Sequence, residues 1–221
     1  MCGRITLRRT FQELEQAFDA MLAGDLRPRY NIAPTQDILT IREAEVTGAR
    51  EAVVIHWGLI PPWAPDEKIG GRMINARAET IQEKRSFSSP LKKRRCLILA
   101  DGFYEWREEN GAKQPYFIHR KDDQPFAFAG LWEVWKKGPE PVESCTIITT
   151  AANEFMEKLH HRMPVILQAK DYGKWLNSTK QEPEELVPLL EPRDWKGMES
   201  FAVTKSMNKA SYQSPDSIEP V

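Results

Sequence analysis

Between residues 95 and 150 the chain is a succession of short apolar runs, and their spacing limits the fold more than any other feature. Strands are expected at 95–100, 102–108, 115–119, 125–135 and 145–150, segments of ordinary strand length separated by turn residues. Asn110-Gly111 reads as a hairpin turn between the second and third, within a longer polar loop, because both residues tolerate positive φ. Shorter strands are expected near 37–42, 52–57, 165–167 and 200–204. Residues 73–77 read as another, which puts Asn75 and Arg77 on one face. Helices are few. Thr10-Phe11-Gln12-Glu13 is a capping box, and Phe11, Leu14, Ala17, Phe18, Met21 and Leu22 then recur at helical spacing until Gly24 supplies a stop. Shorter helices are expected near 79–85, 153–159, 170–176 and 184–190. Tyr30-Asn31-Ile32-Ala33-Pro34 reads as an ordered loop, and Trp57-Gly58-Leu59-Ile60-Pro61-Pro62-Trp63 is too rich in proline for either regular element. The pattern is α+β: one domain over residues 1–221, built on a curled or barrel-like, mostly antiparallel sheet with peripheral helices. Its core is expected at about 2–205, followed by a polar C-terminal tail.

Charge narrows the partners. The net charge is −1, but residues 68–95 hold nine basic residues (Lys68, Arg72, Arg77, Lys84, Arg85, Lys92, Lys93, Arg94, Arg95) against two acidic ones. A basic surface on a neutral body suits a polyanion; a solvated charged face reads equally well from composition alone. No apolar run has membrane-spanning length and the start lacks a secretory apolar region, so a cytoplasmic or nucleoid-associated protein is expected. Three scattered cysteines, Cys2, Cys96 and Cys145, make neither a disulfide framework nor a zinc cage, and no metal or other cofactor is expected. Cys96 and Cys145 lie in apolar runs as core thiols. His56 and His119 fall in strands and receive no role.

The start of the chain, Met1-Cys2-Gly3-Arg4, carries the chemistry. Loss of Met1 leaves a cysteine with a free α-amine and a thiol on adjacent carbons. An α-amine has a pKa near 7.7–8.0, so a useful fraction is unprotonated at neutrality. Offered an aldehyde, the amine forms an imine, and the neighbouring sulfur closes on the same carbon to give a five-membered thiazolidine. Gly3 permits close backbone approach and Arg4 offers an anion-binding fork. A small buried thiol behind the initiator is the bland reading of Cys2.

Five segments in register, Met1-Cys2-Gly3-Arg4, Tyr30-Asn31-Ile32-Ala33-Pro34, Ile74-Asn75-Ala76-Arg77-Ala78-Glu79-Thr80, Ala100-Asp101-Gly102-Phe103-Tyr104-Glu105-Trp106 and His160-x-Arg162-Met163-Pro164, resemble the SOS-response-associated peptidase (SRAP) family from residue 1 to about 205. The resemblance implies a single domain that senses abasic sites in single-stranded DNA through a thiazolidine between Cys2 and the ring-opened sugar aldehyde. It implies that Asn75 holds the amine or the sugar hydroxyls, that Glu105 shuttles protons during imine formation, and that His160 assists ring-opening as the general acid–base at neutral pH. Arg4, Arg77, Arg85 and Arg162 correspond to phosphate-contacting or site-ordering arginines, and Trp63 to a platform for an unpaired base. Two positions depart from the pattern: His161 stands where an acidic residue is more usual, and Ala64 where a second aromatic often is.

Two other readings compete. In a thiol peptidase or amidohydrolase, Cys2 would be the nucleophile, His160 the base and Asn75 the orienter, with Met1 removed by self-cleavage. In a non-covalent DNA-binding module Cys2 would be incidental. Only the aldehyde trap uses the α-amine. A monomer is expected, with repair or replication partners that the residues do not identify.

Overall fold

The computed structural model describes residues 2–22, 27–44, 47–178 and 182–221. Strands β1 (Ile5–Leu7), β2 (Arg29–Ile32), β3 (Asp37–Glu43), β4 (Arg50–Trp57) and β5 (Asn75–Arg77) come first. The longer β6 (Arg95–Ala100), β7 (Gly102–Glu109), β8 (Ala112–Arg120), β9 (Phe126–Trp135) and β10 (Val142–Ala151) follow. Short strands β11 (Arg162–Pro164), β12 (Ile166–Leu167) and β13 (Met198–Ala202) complete the set.

Five of these strands close into a barrel in the order β4, β3, β6, β9, β10 and back to β4. Every joint is antiparallel except β4–β10, which is parallel. Closure leaves no open edge among the five. Ile41, Trp57, Leu97, Phe128, Leu131 and Ile147 are fully buried there, each worth about 1.5–3 kcal/mol of transfer free energy. The second sheet is antiparallel, in the order β13-β8-β7-β1-β2.

Local signals set much of this. Asn110 and Gly111 have φ of 51° and 75°, the positive pair that a two-residue type I′ hairpin needs. Glu109 pairs directly with Ala112, so the turn is tight rather than part of a longer polar loop. Helix α1 (Phe11–Phe18) begins with the reciprocal bonds of its capping box: Thr10 N donates to Glu13 Oε2 at 2.7 Å, and Glu13 N to Thr10 Oγ1 at 3.3 Å. It ends earlier than expected, with Asp19 in the left-handed region at φ 49°; Gly24 lies outside the described residues. The helix expected at 79–85 is displaced: residues 78–80 make one 3-10 turn, and helix α2 runs over Arg85–Lys93. Tyr30-Asn31-Ile32 is strand, not loop.

The C-terminal residues are not a tail. Asn31 Nδ2 donates to Met207 O and Lys209 O at 2.8 and 2.9 Å. Gln213 Nε2 donates to Asn31 O at 2.7 Å. Met207 and Ser217 are fully buried, Met207 in an apolar cluster with Tyr104, Phe117 and Val203. Composition misleads here because the segment is held through backbone carbonyls, which leave no trace in side-chain hydropathy.

Arg95 is the costliest buried group of the framework. It is 2% exposed, and its guanidinium donates to Trp175 O and Leu91 O at 2.5 and 2.6 Å and to Asn177 O. Trp175 and Leu91 lie at the ends of short helices, where carbonyls lack intrahelical donors and a cation complements the dipole. Burial lowers its pKa to about 10, so it stays charged at neutrality. Arg95→Leu strands three carbonyls and should lower the unfolding free energy by about 2–4 kcal/mol. The readout is a lower denaturant midpoint at unchanged slope; a loss under about 0.5 kcal/mol would mean that water replaces the guanidinium freely.

Candidate active site

The first residues of the chain are held inside the second sheet. Ile5 pairs with Ile32 of β2 on one side and Phe103 of β7 on the other. Tyr104 N donates to Arg4 O at 3.0 Å. Cys2 is consequently fully buried, with the carboxylate of Glu105 near enough to act on its thiol.

Asn75 reaches Cys2 because β10 changes partners along its length. Ser144 and Cys145 pair with β4, whereas Ile147–Thr149 pair with β5. Gly58 permits the change: its φ is 138°, and a Cβ there would lie 2.6 Å from Gly70 O. Trp57, fully buried, donates from Nε1 to Ile74 O at 3.0 Å and fixes the start of β5. Asn75 Nδ2 then donates to Cys2 O at 3.0 Å. Its Oδ1 is buried with no partner among the described residues, an acceptor available to an amine or a hydroxyl.

On its other edge β10 leaves β9 after Ile147 and takes up β11 at Thr149–Ala151. His160 sits just before β11, its ring stacked on His161 with centroids 4.3 Å apart. Arg162 N donates to His160 Nδ1 at 2.9 Å. The same Nδ1 lies 3.2 Å from Arg162 O, so it accepts from the amide in one tautomer and donates to the carbonyl in the other. Glu105, Trp106, Lys113, His160 and Asn208 line one cleft of about 450 Å³. A depression of about 840 Å³ around Trp132 is roomier, but its Arg42, Glu51, Arg94, Glu133 and Glu143 pair with one another.

Electrostatics assign resting states. Burial pushes the Cys2 thiol well above its ordinary range, the Glu105 charge adds to this, and the positive amino terminus opposes it. Burial also raises the Glu105 carboxyl, again against the terminal positive charge. His160 is pushed down to about 4, first by burial, then by the terminal charge and by His161, although the Arg162 carbonyl pulls the other way. Cys2, Glu105 and His160 thus share one electrostatic environment. His160 is therefore a neutral imidazole at neutral pH, not the half-protonated acid–base its intrinsic pKa suggests.

The arginines divide into two kinds. Arg4 is half-buried and bonds only carbonyls, Gly3 O at 3.0 Å and Asn208 O at 3.5 Å; its Nε has no partner among the described residues. Burial lowers its pKa and no carboxylate offsets this, which suits an incoming anion. Arg77 is exposed on the face of β5 that carries Asn75. Arg162 is engaged, forming a bidentate pair with Glu79. Trp63, 37% exposed, lies apart with the Arg85 guanidinium 5.1 Å from its ring centroid. Three cleft residues carried no assigned role in the sequence. Trp106 stood beside Glu105 in a quoted motif, Asn208 lay in the supposed tail, and Lys113 is one exposed lysine among many. Trp106 Nε1 donates to Asn208 Oδ1 at 2.7 Å, which ties the C-terminal strap to the cleft.

Comparison with known proteins places the whole chain in one family. The model of the SOS response associated peptidase (SRAP) family matches residues 1–210. The abasic site processing protein YoqW of Bacillus subtilis (strain 168) is 46% identical over 226 residues, covering 99% of each chain. The abasic site processing protein HMCES of Gallus gallus is 30% identical over 264 residues, covering all of this chain and 78% of the relative. A crystal structure of a protein from Bacteroides thetaiotaomicron superposes with a TM-score of 0.89 at 30% identity, covering both chains fully.

The two shifted groups give opposite pH signatures. His160 protonates at about 4 when folded against about 6.5 unfolded, so its contribution to stability is complete above pH 6.5 and is lost as pH falls toward 4. Glu105, raised on folding, contributes below the unfolded carboxylate value and loses that as pH rises through its folded one. Titration of His160 by NMR should show no protonation above about pH 5. A midpoint near 6.5 would remove the neutral-imidazole assignment.

Proposed function

Because the chain belongs to the SOS response associated peptidase family, we propose that it processes abasic sites in single-stranded DNA by trapping the lesion covalently on Cys2. The observation that carries this reading is that Cys2, Asn75, Glu105 and His160 come together: Asn75 bonds the Cys2 carbonyl, Glu105 acts on the Cys2 thiol, and Glu105 and His160 line one cleft. That arrangement serves a terminal amine and would be idle in a chain whose chemistry lay elsewhere.

The sequence of events follows from the resting states. With Met1 removed, the Cys2 amine attacks the aldehyde carbon of the opened sugar to give a carbinolamine. Glu105, its carboxyl raised by burial, takes the proton shed by the amine and returns one to the departing hydroxyl, so water leaves and an imine forms. The thiol then adds across the C=N bond: sulfur bonds the former aldehyde carbon, and the thiol proton ends on nitrogen. The balance is aldehyde plus aminothiol giving thiazolidine plus water, and no cofactor enters it. Asn75 holds the Cys2 carbonyl and offers Oδ1 to the amine or to a sugar hydroxyl. In its Nε2–H tautomer, neutral His160 donates a hydrogen bond to the sugar oxygen on which charge develops as the ring opens. By microscopic reversibility it serves closure when the adduct reverses. Arg4 and Arg77 receive phosphates, and Trp63 with Arg85 offers a stacking surface to an unpaired base.

The peptidase reading gains nothing from the same geometry. A thiol nucleophile needs a thiolate, whereas burial keeps this thiol protonated. One of the two Asn75 N–H donors, the group that would serve an oxyanion, is engaged by the Cys2 carbonyl.

Intact-mass measurement of protein incubated with a single strand carrying one abasic site should show loss of Met1 and an adduct heavier by the DNA less one water. Cys2→Ala should leave at most a reducible imine. Glu105→Gln should slow adduct formation by about 10²-fold or more, while His160→Ala slows both formation and release. An active, crosslinked protein that quantitatively retains Met1 would sink the mechanism.

A further inference from the structure

One residue of the quoted motifs is left without a role by this mechanism. Glu79 follows β5 in the 3-10 turn at residues 78–80. Its Oε1 and Oε2 accept from Arg162 Nη1 and Nη2 at 2.6 and 2.9 Å. The pair is asymmetric. The Arg162 side chain is 12% exposed, that of Glu79 49%. From the protein side Arg162 is fixed by Thr149, donating to its carbonyl at 2.8 Å and its hydroxyl at 3.3 Å. The guanidinium therefore belongs to the framework and keeps its place without Glu79, whereas the carboxylate approaches from the solvent side.

We infer that Glu79 holds, in the DNA-free protein, the place of a backbone phosphate on Arg162, so that a strand must displace a carboxylate before it engages that arginine. The inference rests on the DNA reading of the cleft given above. A carboxylate and a phosphodiester both present two anionic oxygens that match the guanidinium fork, so one can substitute for the other. Arg162 Nε is buried without an acceptor among the described residues, so the present pairing leaves a donor that a further anionic oxygen can use. Glu79 also stands in the field of Arg77, and bonding to Arg162 holds its carboxyl below the usual range. It is thus fully charged at neutral pH and offsets cationic potential on both sides of Thr149. Displacement weakens binding to every strand, but only a lesion recovers the loss, through the covalent bond that follows. Glu79 therefore acts on selectivity between damaged and intact single strands.

The sign of the effect separates this role from a structural one. If Glu79 merely braces Arg162, removing its charge loosens the arginine and weakens DNA binding. If it stands in for phosphate, Glu79→Gln binds an intact oligothymidine tighter, by roughly three- to tenfold, with a log–log salt slope steeper by up to about 0.7. The gain should vanish when Arg162 is also replaced by alanine. Glu79→Ala is the second variant, and thermal unfolding reports that each is folded. Parent protein that binds the strand while both folded variants bind it equally or more weakly would overturn the inference and leave the cleft's DNA reading standing. Parent and variants alike failing to bind any single strand would overturn both.

Discussion

The structure depends on one backbone constraint: the chain begins as an interior strand. Terminal residues ordinarily fray, because few contacts hold them. Here β1 lies between β2 and β7, and Ile5 makes register pairs on both sides. Three residues earlier, Cys2 inherits that order without being in the strand. The α-amine chemistry proposed for Cys2 needs this. A side-chain nucleophile can be placed by any rigid element, but a terminal amine is only as well placed as the chain end that carries it. Asn75 adds a further tie by bonding the Cys2 carbonyl.

The barrel supplies the other half of the site through β10, which is longer than the ring needs. Its first half closes the barrel against β4 and β9; its second half runs on between β5 and β11. That extension carries Asn75 and Arg77 on one flank and His160 and Arg162 on the other. The two halves of the site thus come from two sheets, one positioning Cys2 and Glu105, the other positioning Asn75, Arg77, His160 and Arg162. Buried polar atoms show where the framework ends and the site begins. Asp101 is fully used, accepting from Thr6 Oγ1 and Arg8 N at 2.5 and 2.6 Å. By contrast, Asn75 Oδ1, Arg4 Nε and Arg162 Nε are buried and unmatched among the described residues. Each such group costs about 1–3 kcal/mol; Asn31 Oδ1 and Thr146 Oγ1, outside the cleft's lining, are likewise buried and unmatched among the described residues.

What could be read in the sequence follows from how local each signal is. Asn110-Gly111 needed only its own φ preferences, and the capping box of α1 only four residues, so both are found as expected. The end of α1 is set instead by Asp19 adopting a left-handed turn that Gly24 seemed to offer. The strap after residue 204 is bonded to Asn31, about 180 positions away in sequence, and no composition of its own announces that. His160 shows the same limit for chemistry. Its residue type advertises a pKa near neutrality, but burial first, then the neighbouring positive charges, lower it to about 4. The family's motifs include both Arg162 and Glu79 but not their pairing, because an ion pair between distant segments is visible only when both partners have coordinates.

The raised thiol of Cys2 looks at first like a flaw in a protein proposed to act through that sulfur. It is consistent with the order of events instead. The amine must reach the aldehyde first, since a thiol adding alone gives only a reversible hemithioacetal. A thiolate in this position would be open to oxidation while the site waited for a lesion. Kept protonated by burial, the sulfur is a poor nucleophile toward solvent electrophiles. Once the imine forms on the neighbouring nitrogen, the same sulfur faces an activated carbon in a five-membered geometry, where effective concentrations of about 10⁵ M or more replace intrinsic nucleophilicity. Burial that would cripple an intermolecular thiol nucleophile is therefore tolerable for an intramolecular one. It makes the sulfur's reactivity conditional on the amine having already found its aldehyde.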